Sequence, residues 1–230
     1  MAVQLAGLTT HVIEKPNARG AVVLMHGFGA PGDDLVALGE VLDVPTRFIF
    51  PEAPLVLGGL YGDSRAWWPL DLARLEAELR AGTLRDRRAE VPEGLAAVRD
   101  QVSRLVDEVK TRYGLADNQV ALGGFSQGAM LALDVALHRG APPAAVVVLS
   151  GTIVSEAEWQ PRFATLARVP VFQSHGRNDF LLPFVIAEQL RDQLRAAGAA
   201  LDWNAFAGGH EIPPPVLAAL REFLAARTSG

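Results

Sequence analysis

Gln119-Val120-Ala121-Leu122-Gly123-Gly124-Phe125-Ser126-Gln127-Gly128-Ala129-Met130-Leu131-Ala132-Leu133-Asp134-Val135-Ala136-Leu137 is the stretch that decides how this chain folds. Its first four residues form a short apolar run of strand character, and its last nine are strong helix formers. Between them Gly124-Phe125-Ser126-Gln127-Gly128 fits the pattern G-x-S-x-G. In a chain with 22 glycines that pattern alone has little specificity, so its flanks carry the reading. Strand, G-x-S-x-G and helix in succession make a nucleophile elbow, where a serine sits on a tight strained turn with its hydroxyl exposed. The two glycines lack Cβ atoms and let neighbouring backbones come close.

Outward from the elbow, apolar strands alternate with amphipathic helices. Ala21-Val22-Val23-Leu24-Met25 reads as a buried strand, Arg47-Phe48-Ile49-Phe50 as another, stopped by Pro51 and Pro54. Later strands are expected at residues 144–149, 169–174 and 201–205. Leu95, Val98, Val102, Leu105, Val106, Val109 and Tyr113 step by three or four, which predicts a helix over residues 92–113 with Gly114 as its C-terminal cap. A short helix over residues 35–42 takes Asp33 or Asp34 as N-cap. Further helices are expected over about 183–197 and 214–226. This alternation implies an α/β fold with a mainly parallel central sheet and helices on both faces. No repeat or linker interrupts it, so residues 1–230 form one domain. Ligands in such sheets bind at the carboxyl ends of the strands.

Composition narrows the function. Half of the 230 residues are hydrophobic and 20% charged, an ordinary globular balance. A net charge of −5 offers no broad attraction for phosphates, so no nucleic-acid partner is expected. Arg85-Asp86-Arg87-Arg88 reads as a solvated surface patch. The absence of cysteine removes disulfides, thiolate metal sites and a cysteine nucleophile, and suits a reducing compartment. The first ten residues have neither a basic start nor a long apolar run, and no stretch is long and apolar enough to span a bilayer. A cytoplasmic protein without stable membrane insertion is the expectation. No His/Asp cluster has ligand spacing, so no metal is expected.

A serine at an elbow needs a base, and histidine is the usual one. In this topology the order is serine, acid, histidine, with the last two on loops after late strands. His210, in Gly208-Gly209-His210-Glu211 after the final strand, fits the base. His175 ends a strand in Ser174-His175-Gly176 and reads as a structural histidine bonding its loop. His138 sits at a helix C-terminus, where a partly charged imidazole suits the dipole. Among the carboxylates, Asp179 follows the penultimate strand and has the position of an orienting acid. Glu156 and Glu158 read as loop residues, and Asp202 lies inside the last strand. Two oxyanion donors are expected from backbone N–H groups: Gln127 at the helix start, and Phe28 in His26-Gly27-Phe28-Gly29 after an early strand.

Those motifs, with Leu149-Ser150-Gly151 and Pro183, resemble the phospholipase/carboxylesterase family of α/β-hydrolases, the group of bacterial carboxylesterases and acyl-protein thioesterases. The resemblance covers nearly the whole chain in the family's order. It implies a cofactor-free serine esterase with Ser126, Asp179 and His210 as triad and Phe28 and Gln127 as oxyanion donors. Met130 stands just after the elbow, where members often carry a second glycine. Residues 70–88 look longer than the family's connection, with a stripe at Leu72, Leu75 and Leu79, so a lid or substrate-binding insertion is expected within about 52–90. The reading is a serine carboxylesterase acting on small-molecule esters of short to medium chain. A thioesterase or lysophospholipase and, from another class, a catalytically inactive ligand-binding protein on this fold are the alternatives, and a homodimer is left open. Leu57, Tyr61, Trp67, Trp68, Phe180 and Leu182 are expected to bind substrate, beneath a flexible loop at Gly58-Gly59-Leu60-Tyr61-Gly62.

Overall fold

Near-continuous apolar runs build the middle of the molecule. β3 (Ala21–Met25) and β8 (Val146–Leu149) are buried at every residue, and β7 (Val120–Phe125) at every residue but its last, as strands covered on both faces must be. The computed structural model describes residues 1–58, 62–82 and 86–228. With β1 (Ala2–Leu5), β2 (Leu8–Ile13), β4 (Arg47–Pro51), β9 (Pro170–Gly176) and β10 (Ala200–Phe206), these strands form one eight-stranded sheet in the order β1-β2-β4-β3-β7-β8-β9-β10. All pairings from β4 to β10 are parallel, and only β1–β2 and β2–β4 are antiparallel.

The chain enters the parallel part of the sheet at β3, takes β4 on one side and later β7 on the other. The loops leaving β3 and β7 therefore diverge, and a crevice opens between them at the carboxyl ends of the strands. This is where the elbow and His26-Gly27-Phe28-Gly29 lie.

Alternation along the strands sorts the core into two halves. Val23, Met25, Leu122 and Val148 face α3 (Leu95–Tyr113), α4 (Gln127–His138) and α6 (Phe184–Ala196). Val22, Leu24, Val147 and Leu149 face the other way, toward α7 (Pro214–Thr228) and the residues flanking α1 (Val36–Val41). The helix read from the 95–113 periodicity buries Leu95, Val98, Val102, Leu105, Val106 and Val109, and Gly114 caps it at φ 65°. α4 is buried through Leu137, which places Asp134 inside the protein. Its carboxylate accepts from Arg99 Nε (2.5 Å) on α3 and from Trp159 Nε1 (2.7 Å).

Two local expectations are corrected. α1 is not capped by Asp33 or Asp34: Leu35 stands at the N-cap without a side-chain bond, and Asp33 contributes only its carbonyl, to the Val36 N–H. Glu156 and Glu158 lie on a short helix, α5 (Glu156–Trp159), where Glu158 accepts from Arg99. Leu55–Val56 (β5) pairs with Arg65–Ala66 (β6) in a small separate hairpin, and the centre of the loop expected at Gly58-Gly59-Leu60-Tyr61-Gly62, residues 59–61, lies outside the described residues. The β1–β2 hairpin was not anticipated. The 72–75 stripe does form a helix, α2 (Leu72–Ala81), whose N-terminus is closed by Asp71 Oδ1 accepting from the Arg74 N–H. Leu72 and Leu75 are half-buried, and no residue of α2 joins either core among the described residues. The side chain of Leu79 lies outside those described.

Candidate active site

Ser126 sits between β7 and α4 with φ 54° and ψ −118°, a conformation costing about 1–3 kcal/mol for a residue with a Cβ. Close approach of the backbone holds it there. A Cβ on Gly124 would fall 2.5 Å from the Met25 carbonyl oxygen, and one on Gly128 would fall 2.1 Å from the same atom. Glycine at both positions is thus a packing requirement: α4 begins directly against the end of β3. The Ser126 N–H donates to the Leu149 carbonyl (2.9 Å), tying the turn to β8.

The loop after β3 is fixed by its own histidine. Ala53 N–H donates to His26 Nε2 (3.0 Å), so the proton is on Nδ1, which donates to the Gly27 carbonyl (2.8 Å). Burial lowers the His26 pKa and keeps the ring neutral in this role. Trp67 Nε1 donates to the His26 carbonyl (2.9 Å), and the Gly29 N–H to the Arg65 carbonyl (2.9 Å). The Gln127 side chain completes the frame: its Nε2 donates to the Trp68 carbonyl and its Oε1 accepts the Trp67 N–H, both at 2.9 Å. The backbone N–H groups of Phe28 and Gln127 donate to no protein acceptor among the described residues.

His210 and Asp179 meet from the loops after β10 and β9. His210 Nδ1 donates to Asp179 Oδ2 at 2.7 Å, while Oδ1 accepts the N–H groups of Leu181 (2.9 Å) and Leu182 (2.8 Å). Burial alone would raise the Asp179 pKa; the hydrogen bond and charge of His210, the Leu182 N–H and His175 outweigh it and hold the carboxyl below its ordinary value. His175 is fully buried, donates from Nε2 to the Leu182 carbonyl (2.9 Å) and lies 3.3 Å from Asp179 Oδ2. The two loops are locked together. Asn178 N–H donates to the Gly208 carbonyl, and a Cβ on Gly176 would fall 2.1 Å from the Gly209 carbonyl oxygen. Asp202 stays apart, its Oδ1 accepting from Asn204.

Ser126, Gln127, His210 and Phe28 line one cavity of about 540 Å³. Trp68 and Leu182 line it too. Leu57, Trp67 and Phe180 do not. Leu57 is held in the β5–β6 hairpin by its N–H to the Ser64 carbonyl, Phe180 is 68% exposed, and Trp67 is buried in the core with its Nε1 donating to the His26 carbonyl. Tyr61 lies outside the described residues. The walls that sequence reasoning missed are Met130 and Val154, and the α2 side with Arg74, Leu75, Arg87, Glu90 and Val91. The Leu72–Leu75 stripe and the position of Met130 were the available signals. Among the described residues, no group of three or more His, Asp or Glu could hold a metal ion, and no helix is long and apolar enough to cross a membrane.

A strained serine between a parallel strand and a buried helix, with a histidine–carboxylate pair from the last two strand ends, defines the α/β-hydrolase class. Within that class, the chain belongs to the phospholipase/carboxylesterase family, whose sequence profile matches residues 9–228. It is 24% identical over 217 residues to acyl-protein thioesterase 1 of Neurospora crassa, covering 90% of this chain and 86% of that one. Acyl-protein thioesterase 1 of Yarrowia lipolytica is 26% identical over 81% of this chain and 82% of that one. The crystal structure of an esterase, PE8, superposes with a TM-score of 0.80 at 29% identity, covering 96% of this chain and 99% of that one. The Bacillus cereus carboxylesterase gives 0.73 at 20% identity, over 96% and 94%. The chain is accordingly a hydrolase of the esterase and thioesterase kind.

Proposed function

We propose that the chain is a serine carboxylesterase for esters of short to medium acyl chain. The observation that carries this is Ser126 at φ 54° in one cavity with His210, whose Nδ1 is held by Asp179. With Nδ1 committed to the carboxylate, Nε2 is the nitrogen left to take the serine proton. Ser126 Oγ attacks the acyl carbon as His210 Nε2 accepts its proton, and the carbonyl oxygen becomes an oxyanion that accepts from the N–H groups of Phe28 and Gln127. The C–O bond to the alcohol breaks as His210 returns that proton to the leaving oxygen. Water, deprotonated by the same imidazole, then attacks the acyl-enzyme, releases the acid and restores the serine.

Trp68, Leu75, Met130, Val154 and Leu182 supply the apolar lining for the acyl group. Each buried methylene contributes about 0.8 kcal/mol, so kcat/KM rises from acetate toward medium chains until the lining is used up. The names of the curated relatives support a second reading, thioester cleavage by the same steps with sulfur as leaving atom. Leu70, Leu75, Arg87 and Glu90, which wall the cavity on one side, fit the substrate-binding insertion expected within about 52–90. Steady-state hydrolysis of p-nitrophenyl esters from acetate to palmitate, beside matched butyryl oxo- and thioesters, tests both. A burst of alcohol with a maximum at intermediate chain length is expected. No turnover of any ester would overturn the esterase reading, and a large thioester preference would select the second.

A further inference from the structure

Four side chains on the α2 side of the cavity form a closed ring. Arg74 Nε donates to Glu78 Oε1 (2.8 Å) and its Nη2 to Glu90 Oε1 (2.7 Å). Arg87 Nη1 donates to Glu90 Oε2 (2.9 Å) and its Nη2 to Glu78 Oε2 (3.0 Å). Each guanidinium thus bridges both carboxylates, and among the described residues each carboxylate accepts from one arginine at each oxygen. Two members lie on α2 and two on the segment that follows it. Arg74, Arg87 and Glu90 line the catalytic cavity itself. The wall leaves the elbow at Trp68, whose carbonyl is bonded to Gln127, and runs through apolar Pro69 and Leu70, then Asp71 at the start of α2, before it reaches the ring at Arg74.

We infer that this ring sets the acyl-chain limit of the cavity, with Arg87 and Glu90 as its specificity-determining residues; the inference rests on the acyl-enzyme reading above. The physical cause is a change of wall chemistry. A chain gains about fourfold in binding for each methylene laid against apolar wall. Against the ring it gains nothing of the kind, because methylenes there strip water from ion-paired groups and return no hydrogen bond. Arg87 is the best buried member that lines the cavity, with its side chain 15% exposed, so a tail reaching it cannot simply slip past into solvent. Pairing also fixes the charges in place: with both arginines engaged twice, neither is free to swing aside.

The test compares two double variants that lose the same charges. Arg87→Met with Glu90→Leu makes the wall apolar; Arg87→Gln with Glu90→Gln keeps it polar. The readout is the ratio of kcat/KM for each acyl ester to that for acetate, on protein shown to be folded by circular dichroism. The apolar pair is expected to move the optimum up by about two carbons and raise the longer-chain ratio about tenfold. The polar pair is expected to keep the optimum of the parent. An equal shift in both pairs would mean that the ring only clasps α2 in place, and no shift in either would mean that the chain never reaches it; both results overturn the inference. Should the apolar pair not fold, Arg74→Met, at the exposed corner of the ring, carries the same expectation with a smaller shift. Ester hydrolysis by the parent protein reports separately on the reading beneath.

Discussion

Gly128 shows how little freedom the elbow has. A methyl group there would sit 2.1 Å from the Met25 carbonyl oxygen, an atom of the central sheet that cannot give way. Gly128→Ala is therefore expected to destabilise the fold by about 3 kcal/mol or more, read as a shift in the denaturation midpoint. Ser126→Ala removes only an oxygen. It should leave the melting temperature near that of the parent while kcat falls by about 10⁶, the precedent scale for triad serines. Turnover above about 1% with pure protein would dismiss Ser126 as nucleophile. At the acid, Asp179→Asn should lower kcat by about 10⁴ with little change in KM, since the amide favours the wrong histidine tautomer. Asp202→Asn should leave kcat alone, and the reverse pattern would move the acid by one strand.

At the scale of elements, the knot between α3, α4 and α5 shows what a buried charge does here. Asp134 is fully buried and holds Arg99 and Trp159 Nε1, with His138 stacked one turn on. Asp134→Ala strands two donors and should cost about 3–5 kcal/mol in chemical denaturation, where Glu158→Ala, at the exposed end of the same knot, should cost about 1 kcal/mol or less. None of this was legible in the sequence, because an aspartate in a helix reads the same whichever way it faces. The strands from β3 to β10 were legible, since burial on both faces leaves an apolar run with no alternation to misread. The β1–β2 hairpin was not. Its inward positions are Leu8, Thr10 and Val12, and the buried threonine, bonded to the Leu8 carbonyl, breaks the apolar period. Ser126, Asp179 and His210 could be read together from the elbow motif and the strand order, since each lies beyond the carboxyl end of a strand. The cavity walls could not. Trp67 and Trp68 are identical in sequence terms and both buried, yet only Trp68 borders the cavity, and the ring on the α2 side joins residues whose mutual reach no spacing rule gives.

For the whole molecule, acid is the expected weakness. Burial lowers the pKa of both His26 and His175 below the ordinary 6.5, so the folded state prefers these rings neutral. As pH falls below about 6.5 the unfolded chain takes up protons that the folded chain refuses, and stability declines through that window. Above it their contribution is complete. Asp179 acts in the same sense lower down: its depressed pKa stabilises the fold above about pH 4 and is lost beneath. Denaturant midpoints measured from about pH 8 to about pH 5 should fall, and His175→Gln should flatten the slope. A flat parent profile would show that neither histidine is held neutral.

Trp68 gives the molecule a built-in optical probe. Of its four tryptophans, Trp67, Trp68 and Trp159 are buried in one core cluster, and Trp203, on β10, lies against Arg191 and Phe184. Trp68 alone among them borders the cavity. An acyl group that fills the cavity beside its indole lowers the local polarity, so the emission should move to shorter wavelength as the acyl-enzyme accumulates and return as it hydrolyses. The optical signal would then time acylation and deacylation separately in a stopped-flow trace, without any chromogenic leaving group. Trp68→Phe should silence it, and Trp159→Phe should leave it intact.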